Sequence, residues 1–166
     1  MSNDAIVVLK DDHKRIKTLF KAFQESSPSA PKARGQLVDE IIQELTVHTF
    51  LENEVMYPRV RELVPDLEQD VLESYEEHHV ADVLVAELMA LEPTDEHFQA
   101  KTTVLIESVT HHIDEEENEW FPKVRAALGR KQLTQIGERM QELRPTAPRH
   151  PAQPSAVKKV ADALLA

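Results

Sequence analysis

Apolar positions recur with a helical period along four long stretches of the chain and one short one. Ile6, Leu9, Ile16, Phe20 and Phe23 share a stripe in the first, which starts at a cap among Ser2, Asn3 and Asp4 and runs to about Glu25. After the loop SSPSAP at residues 26–31, a second runs from about Lys32 to Val64 with Leu37, Ile41, Leu45, Leu51, Val55 and Met56 inward, kinked or interrupted at Pro58. Pro65 and Asp66 open a third, which carries Val71, Tyr75, Val85, Leu88 and Leu91 and stops near Pro93. Thr94 or Asp95 caps a fourth, which passes through Leu105 and Val109 to about Leu128, with Pro122 inside it and Gly129 as terminator. A shorter helix over about Lys131 to Leu143 follows. Long amphipathic helices with short connections predict an all-α fold, an antiparallel up-down-up-down four-helix bundle with a short extra helix and a C-terminal tail.

The stripes are broken at selected places by polar residues. HTFLENEVMYPRVR at 48–61 puts His48 and Glu52 where the apolar face should continue, and HIDEEENEWFPKVR at 112–125 repeats the pattern with His112 and Glu116. The two copies share an aromatic, a proline, a basic residue, Val and Arg at matching positions, as in a duplicated helical hairpin. His13 replaces an apolar member of the first stripe, and His78 stands on the third, three residues after Tyr75 and seven before Val85.

The composition supports the helical reading and narrows the chemistry. Glycine is scarce, at 3 of 166 residues, and aromatics make up 5%. The bundle domain is placed at 1–143. Residues 144–166 read as a proline-rich linker, PTAPRHPAQP, followed by a short amphipathic tail with Val157, Val160, Ala161, Leu164 and Leu165 on one face. The tail is basic and docks, on this reading, against its own acidic bundle or a second subunit. A net charge of −11 disfavours nucleic acid and anionic membrane surfaces as partners. With no cysteine there is no disulfide and no thiolate ligand or nucleophile, so a bound metal must be held by nitrogen and oxygen. The opening apolar run AIVVL is too short for a signal-peptide core or a membrane span, and a cytoplasmic location is expected.

Residues four apart on a helix lie about 40° apart around its axis and roughly 6 Å apart along it. His48 with Glu52, and His112 with Glu116, therefore aim at single points. Buried carboxylates without compensation cost several kcal/mol each, and no inward Lys or Arg accompanies these two. Cations remove the penalty. Four imidazoles and two carboxylates exceed the needs of one tetrahedral zinc and suit two ions of iron or manganese, each taking two histidines while both glutamates bridge. His13, His48, Glu52, His78, His112 and Glu116 are thus the expected metal ligands. His79 is the alternate to His78, which is preferred because Ala81, Leu84 and Val85 follow it at inward spacing. Tyr75, one turn earlier, is read first as a half-buried aromatic with a hydrogen-bonded hydroxyl and second as a phenolate ligand. His111, turned by about 100° from His112, is assigned to surface ion pairs with Glu107 or Glu115. His97 and His150 are read as solvated, Glu116 alone of 114–119 is expected to face inward, and Met56 and Trp120 should fill the core beneath the site.

His13, H48-x-x-x-E52, His78 and H112-x-x-x-E116, with the DDH and EEHH contexts, resemble the hemerythrin-like family of HHE cation-binding domains over about residues 5–128. The resemblance implies a non-haem di-iron centre, two iron ions with carboxylate and oxo or hydroxo bridges, at those six positions. Carrier hemerythrins have H-x-x-x-H on the third helix and a bridging Asp on the fourth, and neither is present here. The function expected is therefore reaction with small neutral oxidants, H2O2, O2 or NO, with catalase-like or peroxidase-like turnover in oxidative or nitrosative defence. The alternative is reversible O2 or NO binding, or iron or oxygen sensing, without turnover. No G-x-S-x-G, H-E-x-x-H or phosphate-binding glycine loop offers another chemistry.

Overall fold

The computed structural model describes residues 3–151, and among these every element is helical. Helix α1 (Ala5–Glu25) begins where the Asp4 carboxylate accepts hydrogen bonds from the Ile6 and Val7 amides, and ends at extended Ser26. Helix α2 (Pro31–Leu51) has proline in its first turn, where the missing N–H costs nothing. It continues through a π-turn, Glu52–Met56, into α3 (Tyr57–Leu63). A 3-10 turn at Pro65–Leu67 leads into α4 (Glu68–Met89). Helix α5 (Phe98–Glu115) then passes through a second π-turn, Glu116–Trp120, into α6 (Phe121–Ala127), and α7 (Arg130–Leu143) follows. Helix α1 packs on α2, α4 on α5, and α7 against α1.

Three boundaries differ from the sequence reading. Asp95 does not cap the fourth helix: its carboxylate accepts the His97 amide at 2.8 Å in a turn of its own, and the helix starts at Phe98. Gly129 does not terminate α6. It is extended, at φ −76° and ψ 164°, and forms the N-cap of α7. The kink or interruption foreseen at Pro58 is a π-turn, and a second π-turn precedes Pro122 in the other half. Proline has no N–H to give and its ring crowds the carbonyl four residues back; inserting one extra residue just before Pro58 and Pro122 moves that carbonyl aside.

The extra residue has a consequence for the core. In each π-turn the amide five residues on bonds the carbonyl of the first residue, Tyr57 to Glu52 and Phe121 to Glu116. Tyr57 and Phe121 thereby stand one turn above the two glutamates, where an α-helix would have put Met56 and Trp120. Met56 and Trp120 are buried beside them.

The apolar interior is in two parts. One gathers Ile6, Leu9, Leu51, Met56, Tyr57, Val60, Val71, Trp120 and Phe121 with Leu133, Ile136 and Met140 of α7. The other gathers Ile16, Phe20, Phe23, Ile41, Leu45, Val85, Leu88, Leu105 and Val109. The inward polar residues fall between them in sequence: His13 lies between Leu9 and Ile16, and His48 between Leu45 and Leu51. Helix α7 seats closely because Gly137 has no side chain; a Cβ there would lie 1.6 Å from the carbonyl oxygen of Asn3. Among the described residues no helix is long and apolar enough to cross a membrane. The amphipathic tail assigned to residues 157–165 lies outside the described residues.

Candidate metal centre

Helices α1, α2, α4 and α5 each direct one histidine into the layer between the two apolar clusters, and the π-turns supply the carboxylates. His13, His48, His78, His112, Glu52 and Glu116 are all buried. They form two overlapping groups able to hold a metal ion: His13, His48, Glu52 and Glu116 in one, and Glu52, His78 and His112 in the other, with donor atoms within 4.8 Å of one another in each. Glu52 belongs to both. Glu116 also reaches across, with Oε2 3.3 Å from His13 Nε2 and Oε1 3.3 Å from His112 Nε2. His79, the alternate to His78, is only half-buried and is in neither group.

The ring orientations are set from outside this cluster. His13 Nδ1 donates to Glu117 Oε1 at 2.8 Å, His48 Nδ1 to Asp12 Oδ2 at 3.2 Å, His78 Nδ1 to Asn53 Oδ1 at 2.8 Å, and His112 Nδ1 faces Glu77 Oε2 at 3.3 Å. A hydrogen on Nδ1 leaves Nε2 as the nitrogen facing inward, the arrangement that metal-bound histidines show. The anchors follow the duplication. Asp12 and Glu77 each precede the inward histidine of their helix, and Asn53 and Glu117 each follow the inward glutamate.

Toward the interior, bonding fails. His13 Nε2, His48 Nε2, both oxygens of Glu52 and Glu116 Oε2 are buried without a hydrogen-bond partner. His48 Nε2 lies only 2.6 Å from Glu52 Oε1, so the two atoms are near but not aligned; they point past each other. His78 Nε2 and His112 Nε2 face each other at 3.1 Å. Buried polar atoms left unpaired each cost about 1–3 kcal/mol, and five of them around one volume fit cations whose coordination would satisfy all at once.

The electrostatics agree. Burial works against both carboxylates, and they part: Glu52, facing Glu116, is raised, whereas His112 and the His13 contact outweigh burial at Glu116 and hold it well below the usual range. Burial opposes a charged His48, but Glu52 and Asp12 outweigh it and hold its pKa at about 10. The same balance, led by Glu116, keeps His112 well above the ordinary value. Burial, then the neighbouring His112, drive His78 well below.

Several participants escape the sequence reading. The phenol that reaches the cluster is that of Tyr57, whose hydroxyl donates to Glu116 Oε1 at 2.6 Å and lies 3.2 Å from His78 Nε2 and 3.3 Å from His112 Nε2. Burial and then the two glutamates hold it well above the usual phenol value. Tyr75 is half-buried, as its first reading has it, and is not the phenol at the cluster. Its hydroxyl meets the Asn53 carbonyl at 3.5 Å and its ring packs edge-on against Tyr57. Phe121, the repeat partner of Tyr57, stacks on His13 with ring centroids 5.8 Å apart. Glu116 is not alone in turning inward, since Glu117 reaches His13. Arg144, placed in the linker by composition, bonds Asp12 at 3.0 Å, and Arg15 also pairs with that buried carboxylate. Opposed by burial, His48 and then Arg144 hold Asp12 below its ordinary value. His111 is exposed and pairs with Glu115 at 3.0 Å, and His97 and His150 are exposed.

The hemerythrin HHE cation binding domain family matches the chain over residues 4–124. A DNA nickase of Nostoc sp. is 30% identical over 128 residues, 77% of this chain and 35% of that protein, so the chain spans about a third of that relative's length. A hemerythrin-like protein of Schizosaccharomyces pombe is 22% identical over 149 residues, 89% of this chain and 72% of that one. The crystal structure of a hemerythrin HHE cation binding domain-containing protein from Mycobacterium kansasii superposes with a TM-score of 0.73 at 22% identity, covering 86% of each chain, and it shows the same fold.

Proposed function

We propose that this chain, which belongs to the hemerythrin HHE cation-binding family, holds two iron ions in the buried layer and uses them on small neutral oxidants, with peroxide turnover as its activity. The observation that carries the reading is the set of unpaired inward atoms on His13, His48, Glu52 and Glu116. His13 with His48 would hold one ion and His78 with His112 the other, with Glu52 and Glu116 in reach of both. When bound, such a pair would relay electrons from one peroxide molecule, oxidised to O2, to a second, reduced to water.

The protein contributes selection and proton control. A cavity of about 20 Å³ adjoins His48, His78 and His112 and is otherwise lined largely by apolar groups of Leu45, Ala81, Val85, Val109 and Ile113. That is room for one water-sized molecule, which admits H2O2, O2 or NO and excludes organic substrates. Tyr57 does not line this space, but its hydroxyl lies 3.2 and 3.3 Å from Nε2 of His78 and His112, which do, and it is the group placed to give or recover a proton. The anchored Nδ1 atoms hold the rings still. DNA nicking, the name of the Nostoc relative, is not part of this reading, since a net charge of −11 repels a phosphate backbone.

The test is to add hydrogen peroxide to iron-loaded protein and follow both peroxide loss and oxygen evolution. Consumption of many equivalents per chain supports turnover. A bleach that stops after one equivalent refutes it and favours reversible O2 or NO binding, or sensing, at the same centre.

A further inference from the structure

On the face between α4 and the second π-turn lies a groove of about 100 Å³ whose walls carry Asp70, Glu73, Glu77, Glu115 and Glu119. Its one cation, Lys123, pairs with Asp70 at 3.3 Å. Its floor includes His112 and Glu116, two members of the buried cluster. A strongly acidic groove that ends on two donors of a buried cluster draws cations inward and repels anions.

At its outer end stands a group the proposed centre does not use. Glu77, His111 and Glu115 offer three donor atoms within 4.8 Å of one another. His111 is 69% exposed at its side chain, and Glu77 and Glu115 also line the groove. One imidazole with two carboxylates leaves the remaining positions of a bound cation to water, which suits a site that takes an ion and releases it. Glu77 joins this triad to the interior because its carboxylate also faces His112 Nδ1 at 3.3 Å.

We propose that Glu77, His111 and Glu115 form a surface cation site and that the acidic groove behind it is the path by which a divalent transition-metal ion reaches the buried centre. The inference rests on the metal-centre reading given above.

The experiment titrates metal-free, full-length protein anaerobically with Co(II), counts bound metal by equilibrium dialysis, and follows loading by stopped-flow visible absorbance. Wild type takes up two slowly released ions and one readily exchanged. A His111→Ala, Glu115→Gln double variant loses the exchangeable ion, fills the buried pair to the same final spectrum, and loads about tenfold more slowly at limiting metal. His97→Ala, at an exposed histidine outside the groove, loads as wild type does. A double variant that keeps the exchangeable ion, or loads within twofold of wild type, overturns the proposal. If wild type binds only the His111-dependent ion, the buried centre is refuted and the surface site stands.

Discussion

Replacing Tyr57 with Phe removes one oxygen from the middle of the polar layer and nothing else. The hydroxyl donates to Glu116 at 2.6 Å, both groups are almost fully buried, and the acceptor is held in its ionised form. A buried hydrogen bond to a charged partner contributes roughly 1.5–3 kcal/mol. Packing adds little to the loss, because Phe is the residue the chain itself uses at the repeat-equivalent position 121. The expected cost is about 2 kcal/mol, or roughly 4–8 °C in melting temperature for a chain of this size. The assay is urea unfolding of metal-free protein, where no ion competes for Glu116, followed by circular dichroism with the m-value checked for constancy. A change under about 0.5 kcal/mol would show that the hydroxyl does not hold Glu116 and would remove Tyr57 from the site.

Two further changes probe the surroundings. Glu117→Ala frees the His13 ring from its 2.8 Å anchor and should weaken iron binding about 10- to 100-fold in a chelator competition, with Glu117→Gln recovering most of the loss; equal affinity in all three chains would contradict the anchoring role. Burial raises Asp82 from 3.8 to about 6, with His79 acting the other way. A carboxyl raised on folding favours the folded state below its unfolded pKa and loses that contribution as pH climbs through about 6. Asp82→Asn should therefore be more stable than wild type at pH 8, by about 2 kcal/mol after allowing for the side chain's partial exposure, with the advantage vanishing near pH 4. A difference independent of pH would count against this account.

How much of this could be read from the sequence depends on which force set each residue. The four helices and the inward histidines were legible because burial imposes a period, and a polar residue on an apolar stripe breaks it visibly. The pairing of His48 with Glu52 and of His112 with Glu116 followed from spacing alone. Tyr57 was not legible, since the π-turn advances the chain by one residue and exchanges the roles of Met56 and Tyr57; the matched prolines at 58 and 122 were the available sign, and Pro58 read as a kink or interruption. Asp12, Asn53, Glu77 and Glu117 stand beside the inward residues, about 100° around the helix, where a polar residue reads as solvated. Their common offsets in the duplicated halves were the signal that could have revealed them. Arg144 was hidden by its neighbours, because proline-rich composition says nothing about a single guanidinium that reaches back to a buried carboxylate.

Metal content tests the central claim most directly. Chains reconstituted anaerobically with Fe(II), freed of loosely held metal on a chelating resin and analysed by mass spectrometry of the element, should retain two iron ions in wild type and in His97→Ala, and far less in His48→Ala and Glu116→Ala. Wild type emerging without iron, or all four chains retaining the same amount, would contradict it.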